Sequence, residues 1–446
     1  MSARNSTVTA KRPARKPSAA ATGKASSGKA KSAKSSRTAL AGPAVASPAA
    51  ASEIKIDKRR ALALVTELMA IPGGSGDEAA VAAYVRKKLL EAGAPADALQ
   101  SDNAHRHTPL PGNCGNLILQ LPGTLNAPRR LLMAHMDTVP VCLGAKPVRR
   151  GDTIVSADKH TGLGADDRAG VATLLSTALT ILESGLPHPP LTFLWVIQEE
   201  IGLYGARNVE LRRLGKPKLA FNFDGGPAEK LTCGATGGYR LKIDIEGLAS
   251  HAGGAPEQGV SAIAIAGLAI ADLVQHGWHG AIQKGGHSGT SNVGVIQGGA
   301  ATNVVADQVA IRAEARSHDP AFRNQIVAAI RDAFQRAAAA VKNMAGRAGK
   351  VDFDGRLDYE SFRLADDEPC LLAAEDAVRR VGGAPLRAIS NGGLDANWMT
   401  ARGIPTVTLG CGQVNIHTTS ESLDIGQFQT ACRIALVLAT GGEANS

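Results

Sequence analysis

Leu131-Leu132-Met133-Ala134-His135-Met136-Asp137 is the stretch that decides the fold. Leu131–His135 has the length of a strand, and its residues are apolar on both alternating faces. A strand buried on two sides belongs in a parallel sheet covered by helices. The run then ends abruptly in an imidazole and a carboxylate. Leu191–Ile197, Leu219–Phe223 and Thr406–Leu409 read as further strands of the same kind. Between them, 167–182 reads as a helix with Val171, Leu174, Leu175, Ala178 and Leu182 on one face. Upstream, 57–70 and 77–92 read as amphipathic helices separated by the turn Ile71-Pro72-Gly73-Gly74, and 368–381 reads as a later helix. The alternation of strands and helices predicts an α/β architecture.

The rhythm changes between residues 237 and 362. Strand 239–247, helix 258–276, strands 291–297 and 307–317, helix 320–344 and strand 351–360 give a β-α-β-β-α-β order, the ferredoxin-like arrangement. The second helix is marked by Phe322, Ile326, Ile330, Phe334, Ala337 and Val341 at helical spacing, opened by Asp319-Pro320. An α+β unit at 237–362 is therefore expected inside a larger unit made of 54–236 and 363–446.

The 446 residues carry a formal charge of +9, but that charge is localised. Residues 1–52 hold ten Lys or Arg and no acid, and the remainder has 39 basic and 40 acidic residues, a net of −1. Residues 1–53, rich in Ala, Ser, Lys, Pro and Gly, are expected to be a disordered basic tail, because they lack the apolar surface that offsets ordering entropy. Such a tail solubilises, or makes a weak contact with nucleic acid. The six cysteines lie far apart without a C-x-x-C pair, which suits reduced, buried thiols. No apolar run is long enough to span a membrane, and the start lacks the apolar stretch of a secretory signal. A cytoplasmic location and no membrane partner are the expectations.

The chemistry gathers where the strands end. The first ends in His135-Met136-Asp137, the second in Gln198-Glu199-Glu200 and the third in Asn222-Phe223-Asp224. The last leads through a Gly-rich loop to Ile416-His417, and Gly164-Ala165-Asp166-Asp167 enters a helix. Ligands of open α/β sheets bind outside the carboxyl ends of the strands. A lone histidine there is ordinarily capped or solvated, and an adjacent Glu pair is ordinarily surface charge; it is their joint occurrence at one rim that predicts a metal site. Imidazole and carboxylate without thiolate suit zinc, with manganese or cobalt as replacements. His135, Asp166, Glu200, Asp224 and His417 are too many donors for one tetrahedral ion with an open position. They suit two ions about 3.5–4 Å apart, bridged by a carboxylate and a water. Asp166, at a helix N-terminus, is the natural bridge. Asp137, two residues beyond His135, faces the same way and can accept the other ring N–H. Of Glu199 and Glu200, one can bind metal while the other acts as general base.

AHMDTV, GADDRAG, QEE followed by IGLYGA, NFDGG, and IHTTSE after GGLDANW resemble the di-zinc exopeptidase family of aminoacylases, glutamate carboxypeptidase and peptidase T, from about residue 57 to 440. GADDRAG and the TGGY entry to the insertion are most similar to the peptidase T-like branch. The resemblance implies that 54–236 with 363–446 is the catalytic domain and 237–362 a lid and dimerisation domain. It implies His135 and Asp224 on one zinc, Glu200 and His417 on the other, and Asp166 between them. Glu199 becomes the general base, Asp137 the orienting residue, and the Asp166–Asp167 peptide cis. In the insertion, Ala249-Ser250-His251-Ala252-Gly253 resembles the lid segment whose histidine reaches a partner's site and supports the oxyanion, which implies a homodimer. Asn303 and Arg316 match substrate contacts of such lids, and Arg316 suits a substrate carboxylate. The expectation is an exopeptidase for small peptides, aminopeptidase-like or carboxypeptidase-like. An N-acyl amino-acid or amide hydrolase using the same site is the alternative. A nucleic-acid-associated protein working through the basic tail is the alternative of another class.

Overall fold

The computed structural model describes residues 55–441; the expected basic tail at 1–53 lies outside the described residues. The largest sheet has at its centre four parallel strands, in the spatial order Leu191–Val196, Arg130–His135, Leu219–Phe223 and Thr406–Leu409. Its flanks are Leu99–Ser101 and Leu117–Leu121 on one side and Lys230–Ala235 with Phe362–Arg363 on the other, all paired antiparallel. Leu386–Ser390 adds a parallel neighbour to Lys230–Ala235.

The double-sided apolar pattern has a direct consequence. Leu132 and Ala134 join the core formed with helices Lys58–Ala70, Ala79–Glu91, Ala165–Ser184, Pro369–Arg380 and Ile425–Thr440. Leu131 and Met133 point to the other face, against Leu194, Ala206, Leu214 and Met399. Each fully buried leucine contributes about 1.5–3 kcal/mol to this sandwich. Register then aligns the strand ends: His135 pairs with Val196 and Met133 with Asn222, so His135 comes level with Asp224.

Between 237 and 362 the chain builds an antiparallel sheet with its own core. The strands lie in the order Gly280–Lys284, His287–Gly298, Gln308–Ser317, Gly237–Glu246 and Lys350–Tyr359. Helices Ala262–Gln275 and Pro320–Ala340 supply Ile265, Ala269, Phe322, Ile326 and Phe334 to that core. Four strands and both helices follow the ferredoxin-like order, and Gly280–Lys284 is an addition to it. That strand buries only Ile282 and returns through Gly285 and Gly286 at positive φ, so its short, weakly apolar run leaves little periodicity to read. The first helix starts at Ala262 rather than 258, because residues 256–258 form a 3-10 turn and the Ser261 hydroxyl caps the helix by accepting from Ala264 N. The second is capped by Asp319, whose carboxylate accepts from Ala321 N and Phe322 N, and it stops at Ala340 instead of 344.

A third sheet, of Pro147–Arg150, Thr153–Ser156, Ser422–Asp424 and Gln413–Val414, is also additional to the sequence reading. It ties the segment ahead of Asp166 to the loop after His417. Among the described residues, no helix is long and apolar enough to cross a membrane.

Candidate metal centre

Beyond His135 the strand continues for one more bond, Met136 N donating to Val196 O, and the chain then turns with Asp137 buried. The Asp137 carboxylate accepts from the Ser75 hydroxyl at 2.6 Å, from Glu199 N at 3.0 Å and from Glu200 N at 3.2 Å. His135 Nδ1 lies 3.1 Å from the Asp137 carbonyl oxygen and 3.5 Å from its carboxylate. The expected orienting bond is thus shared with the main chain, while the carboxylate holds the backbone of the Glu pair. Gln198 and Leu203, both at positive φ, bend the chain so that Glu199 and Glu200 stand at the rim.

The helix Ala165–Ser184 opens at Gly164, which has φ +74°, and the Asp166–Asp167 peptide is cis. Asp167 faces inward as an anchor. It accepts from His135 N at 3.1 Å, Gly170 N at 3.0 Å and Gln413 Nε2 at 3.0 Å. Asp166 turns its carboxylate the other way. Its Oδ1 lies 3.3 Å from His135 Nε2, and its Oδ2 lies 3.2 Å from His417 Nε2. His135 Nε2 is 4.0 Å from Asp224 Oδ1, and His417 Nε2 is 3.0 Å from Glu200 Oε2.

Two donor sets therefore share one carboxylate: His135, Asp166 and Asp224, and Asp166, Glu200 and His417. All five residues expected to bind metal converge, with Glu199 buried beside them.

The charges are unbalanced. Burial pushes Asp224 up to about 7, with repulsion from Asp166 adding to it, and burial raises Glu200 and Glu199 as well. Burial works the same way on Asp166, yet hydrogen bonds from His135 and His417 hold it below the usual carboxylate range. Burial would lower His135, but Asp137 and Asp166 outweigh it and raise the imidazole well above its ordinary value. His417 is raised to about 10 by its bonds to Asp166 and Glu200. Buried carboxylates in excess of basic groups are costly unless a cation joins them. Both Asp395 oxygens are buried without a hydrogen-bond donor. Nitrogen and oxygen donors of this kind fit a divalent ion of the zinc, manganese or cobalt type.

The three residues expected to act from the inserted segment make their hydrogen bonds within it. His251 is exposed, and its Nδ1 accepts from Gly253 N at 3.1 Å and Gly254 N at 2.8 Å. In the neutral ring the proton then sits on Nε2. Asn303 is exposed, its carbonyl accepting from Ala252 N. Arg316 is half-buried and already forms a fork to Glu314, Nε to Oε1 at 3.0 Å and Nη2 to Oε2 at 2.9 Å. Among the described residues, no hydrogen bond or ion pair joins His251, Asn303 or Arg316 to the donor cluster.

Ser75, Asp167, Gln413 and Glu421 support the cluster without having been singled out in the sequence. Asp167 and Glu421 stood inside quoted motifs, GADDRAG and IHTTSE. Ser75 and Gln413 carried no signal, because their contacts span 62 and 246 residues of chain.

Paired nitrogen and oxygen donors at the carboxyl rim of an α/β sheet define the class, a metal-dependent hydrolase. The model of peptidase family M20/M25/M40 matches residues 131–440. The Bacillus subtilis protein YqjE is 31% identical over 384 residues, covering 86% of this chain and 98% of its own. A tripeptidase of Staphylococcus aureus subsp. aureus Mu50 superposes with a TM-score of 0.78 at 31% identity, over 87% of this chain and 99% of that one. The aminopeptidase PepT of Bacillus cereus gives 0.75 at 32% identity, with 87% and 99% covered. The chain belongs to peptidase family M20/M25/M40, in its peptidase T-like branch, and is a metallopeptidase.

Proposed function

We propose that this metallopeptidase is a di-zinc exopeptidase that cleaves small peptides from their amino end. The observation that carries the reading is the Asp166 carboxylate, with one oxygen facing His135 at 3.3 Å and the other facing His417 at 3.2 Å. His135 and Asp224 would hold one zinc, Glu200 and His417 the other, and Asp166 both. Bound there, the pair would lower the pKa of a water and polarise the scissile carbonyl.

The chain's own groups do the rest. Glu199 accepts the proton of the attacking water and passes it to the leaving amine. Asp137 fixes the backbone of Glu199 and Glu200 and steadies His135. His251, with Nδ1 occupied as an acceptor, offers Nε2–H to the developing oxyanion. Among the described residues, no hydrogen bond or ion pair joins it to the cluster of its own chain, which supports its service to a second copy.

Residues 237–362 are then a lid and dimerisation domain between the catalytic stretches 54–236 and 363–446. Asn303 orients the substrate from that lid. Arg316 reaches a substrate carboxylate only by exchanging Glu314 for it, and this favours amino-end over carboxyl-end selection. The similarity to a tripeptidase and an aminopeptidase supports the same choice. Cysteines that are all unpaired, five of them buried, support a cytoplasmic location. The basic tail contributes at most an accessory contact with nucleic acid.

The test is a panel of tripeptides, dipeptides and N-acetyl amino acids, assayed with zinc, manganese or cobalt and with a chelator. Zinc-dependent release of the first residue from tripeptides is expected. Preferential cleavage of N-acetyl amino acids, or turnover that survives chelation, contradicts the proposal.

A further inference from the structure

Glu421 is a buried carboxylate without a cationic partner among the described residues. Four donors compensate it instead. Its Oε2 accepts from Leu163 N at 2.9 Å, from Gly164 N at 2.8 Å and from the Cys142 thiol at 3.2 Å. Its Oε1 accepts from Asp166 N at 3.0 Å.

Three of these donors are backbone groups at the opening of helix Ala165–Ser184, where N–H groups have no partner within the helix. A carboxylate there satisfies them and meets the positive end of the helix dipole. Such caps are ordinarily local; this one arrives from 255 residues away. The residue it grips most tellingly is Asp166, whose two oxygens face the two histidines. Four positions before Glu421 stands His417, on the same short loop, with Glu421 N donating to Thr418 O at 3.3 Å. One loop therefore supplies His417 and also holds the backbone of the carboxylate that His417 must meet at 3.2 Å.

We propose that Glu421 is a positioning residue of the metal centre, locking Asp166 and His417 in one frame and so setting the affinity for the ion held by Asp166, Glu200 and His417. This rests on the di-zinc reading of the site. Among the described residues, the Glu421 carboxylate has no hydrogen bond or ion pair with a donor side chain; it acts through the backbone of Asp166. Replacement by Gln is selective. An amide keeps one acceptor oxygen, enough for Leu163 N and Gly164 N, but turns an NH2 group toward Asp166 N, which then loses its acceptor.

The experiment is zinc titration of metal-stripped wild type, Glu421→Gln and Glu421→Asp, with bound zinc counted per chain and unfolding followed with and without zinc. Wild type is expected to take two ions. Glu421→Gln should keep one tight ion and bind the other about 10- to 100-fold more weakly, as loss of a ligand-orienting partner does. Its unfolding temperature should fall further below wild type with zinc present than without. Glu421→Asp, which keeps the charge but shortens the reach, should fall between the two, and it carries the same comparison if the Gln variant does not fold. Two equally tight ions in a variant, with a stability loss independent of zinc, make Glu421 a residue of the fold alone and overturn the proposal. Fewer than two ions in wild type overturns the di-zinc reading beneath it, a distinguishable result.

Discussion

Asp137 and Glu78 show how buried acids here are committed to particular donors. The Asp137 carboxylate spends its oxygens on Ser75 and on the backbone of Glu199 and Glu200, so the proposed base stands on a rigid support. Replacing Glu199 by Gln preserves that support and removes only the proposed proton acceptor. The expected result is a loss of about 100- to 10,000-fold in kcat with zinc content unchanged, measured by steady-state kinetics and metal analysis. Glu78 is buried nearby, its Oε1 accepting from Gly76 N and Gln198 N while Oε2 has no partner. Burial, with repulsion from Asp137, raises it from 4.5 to about 7. The folded chain therefore binds more protons than the unfolded chain between those values, and stability falls as pH rises through that window. Glu78→Gln should flatten this dependence in the metal-stripped protein, adding on the order of 2 kcal/mol near pH 7 and little near pH 4.5, by chemical unfolding at a series of pH values. The converging side chains were legible, because His135, Glu199, Glu200 and Asp224 follow apolar strands directly. What each second carboxylate holds was not, since hydrogen bonds spanning 62 to 255 residues leave no local pattern.

The helix Ala165–Ser184 connects the site to the core, and its tightest point is Gly170. A Cβ there would overlap the Phe223 carbonyl oxygen and the Asp167 carboxylate. Gly170→Ala should cost about 1–3 kcal/mol or more by overpacking, and should also weaken zinc binding, because Phe223 precedes Asp224 and Asp167 follows Asp166. Unfolding curves with and without zinc measure both effects. Continuous apolar runs were readable even when short: Leu219–Phe223 and Thr406–Leu409 match their expected bounds. Gly280–Lys284 was not, since it buries a single apolar residue, and neither was the sheet joining Thr153–Ser156 to Ser422–Asp424, since that pairing depends on partners distant in sequence.

Across the whole molecule, the donor cluster and the His251 segment are separate features that the proposed dimer brings together. If His251 serves the neighbouring subunit, Glu199→Gln and His251→Ala chains should each be nearly inactive alone. Mixed and re-associated at random, they should recover about a quarter of wild-type activity per site, because about half the dimers then join unlike chains and each of these contains one complete site of its two. No recovery in a verified mixed dimer would place His251 outside the reaction.

The most direct test of the central claim is the crystal structure of the zinc-loaded protein, with anomalous scattering measured on both sides of the zinc edge. Two peaks about 3.5 Å apart are expected, one against His135 and Asp224, the other against Glu200 and His417, and both on Asp166. A single peak, or zinc bound away from Asp166, would contradict the account.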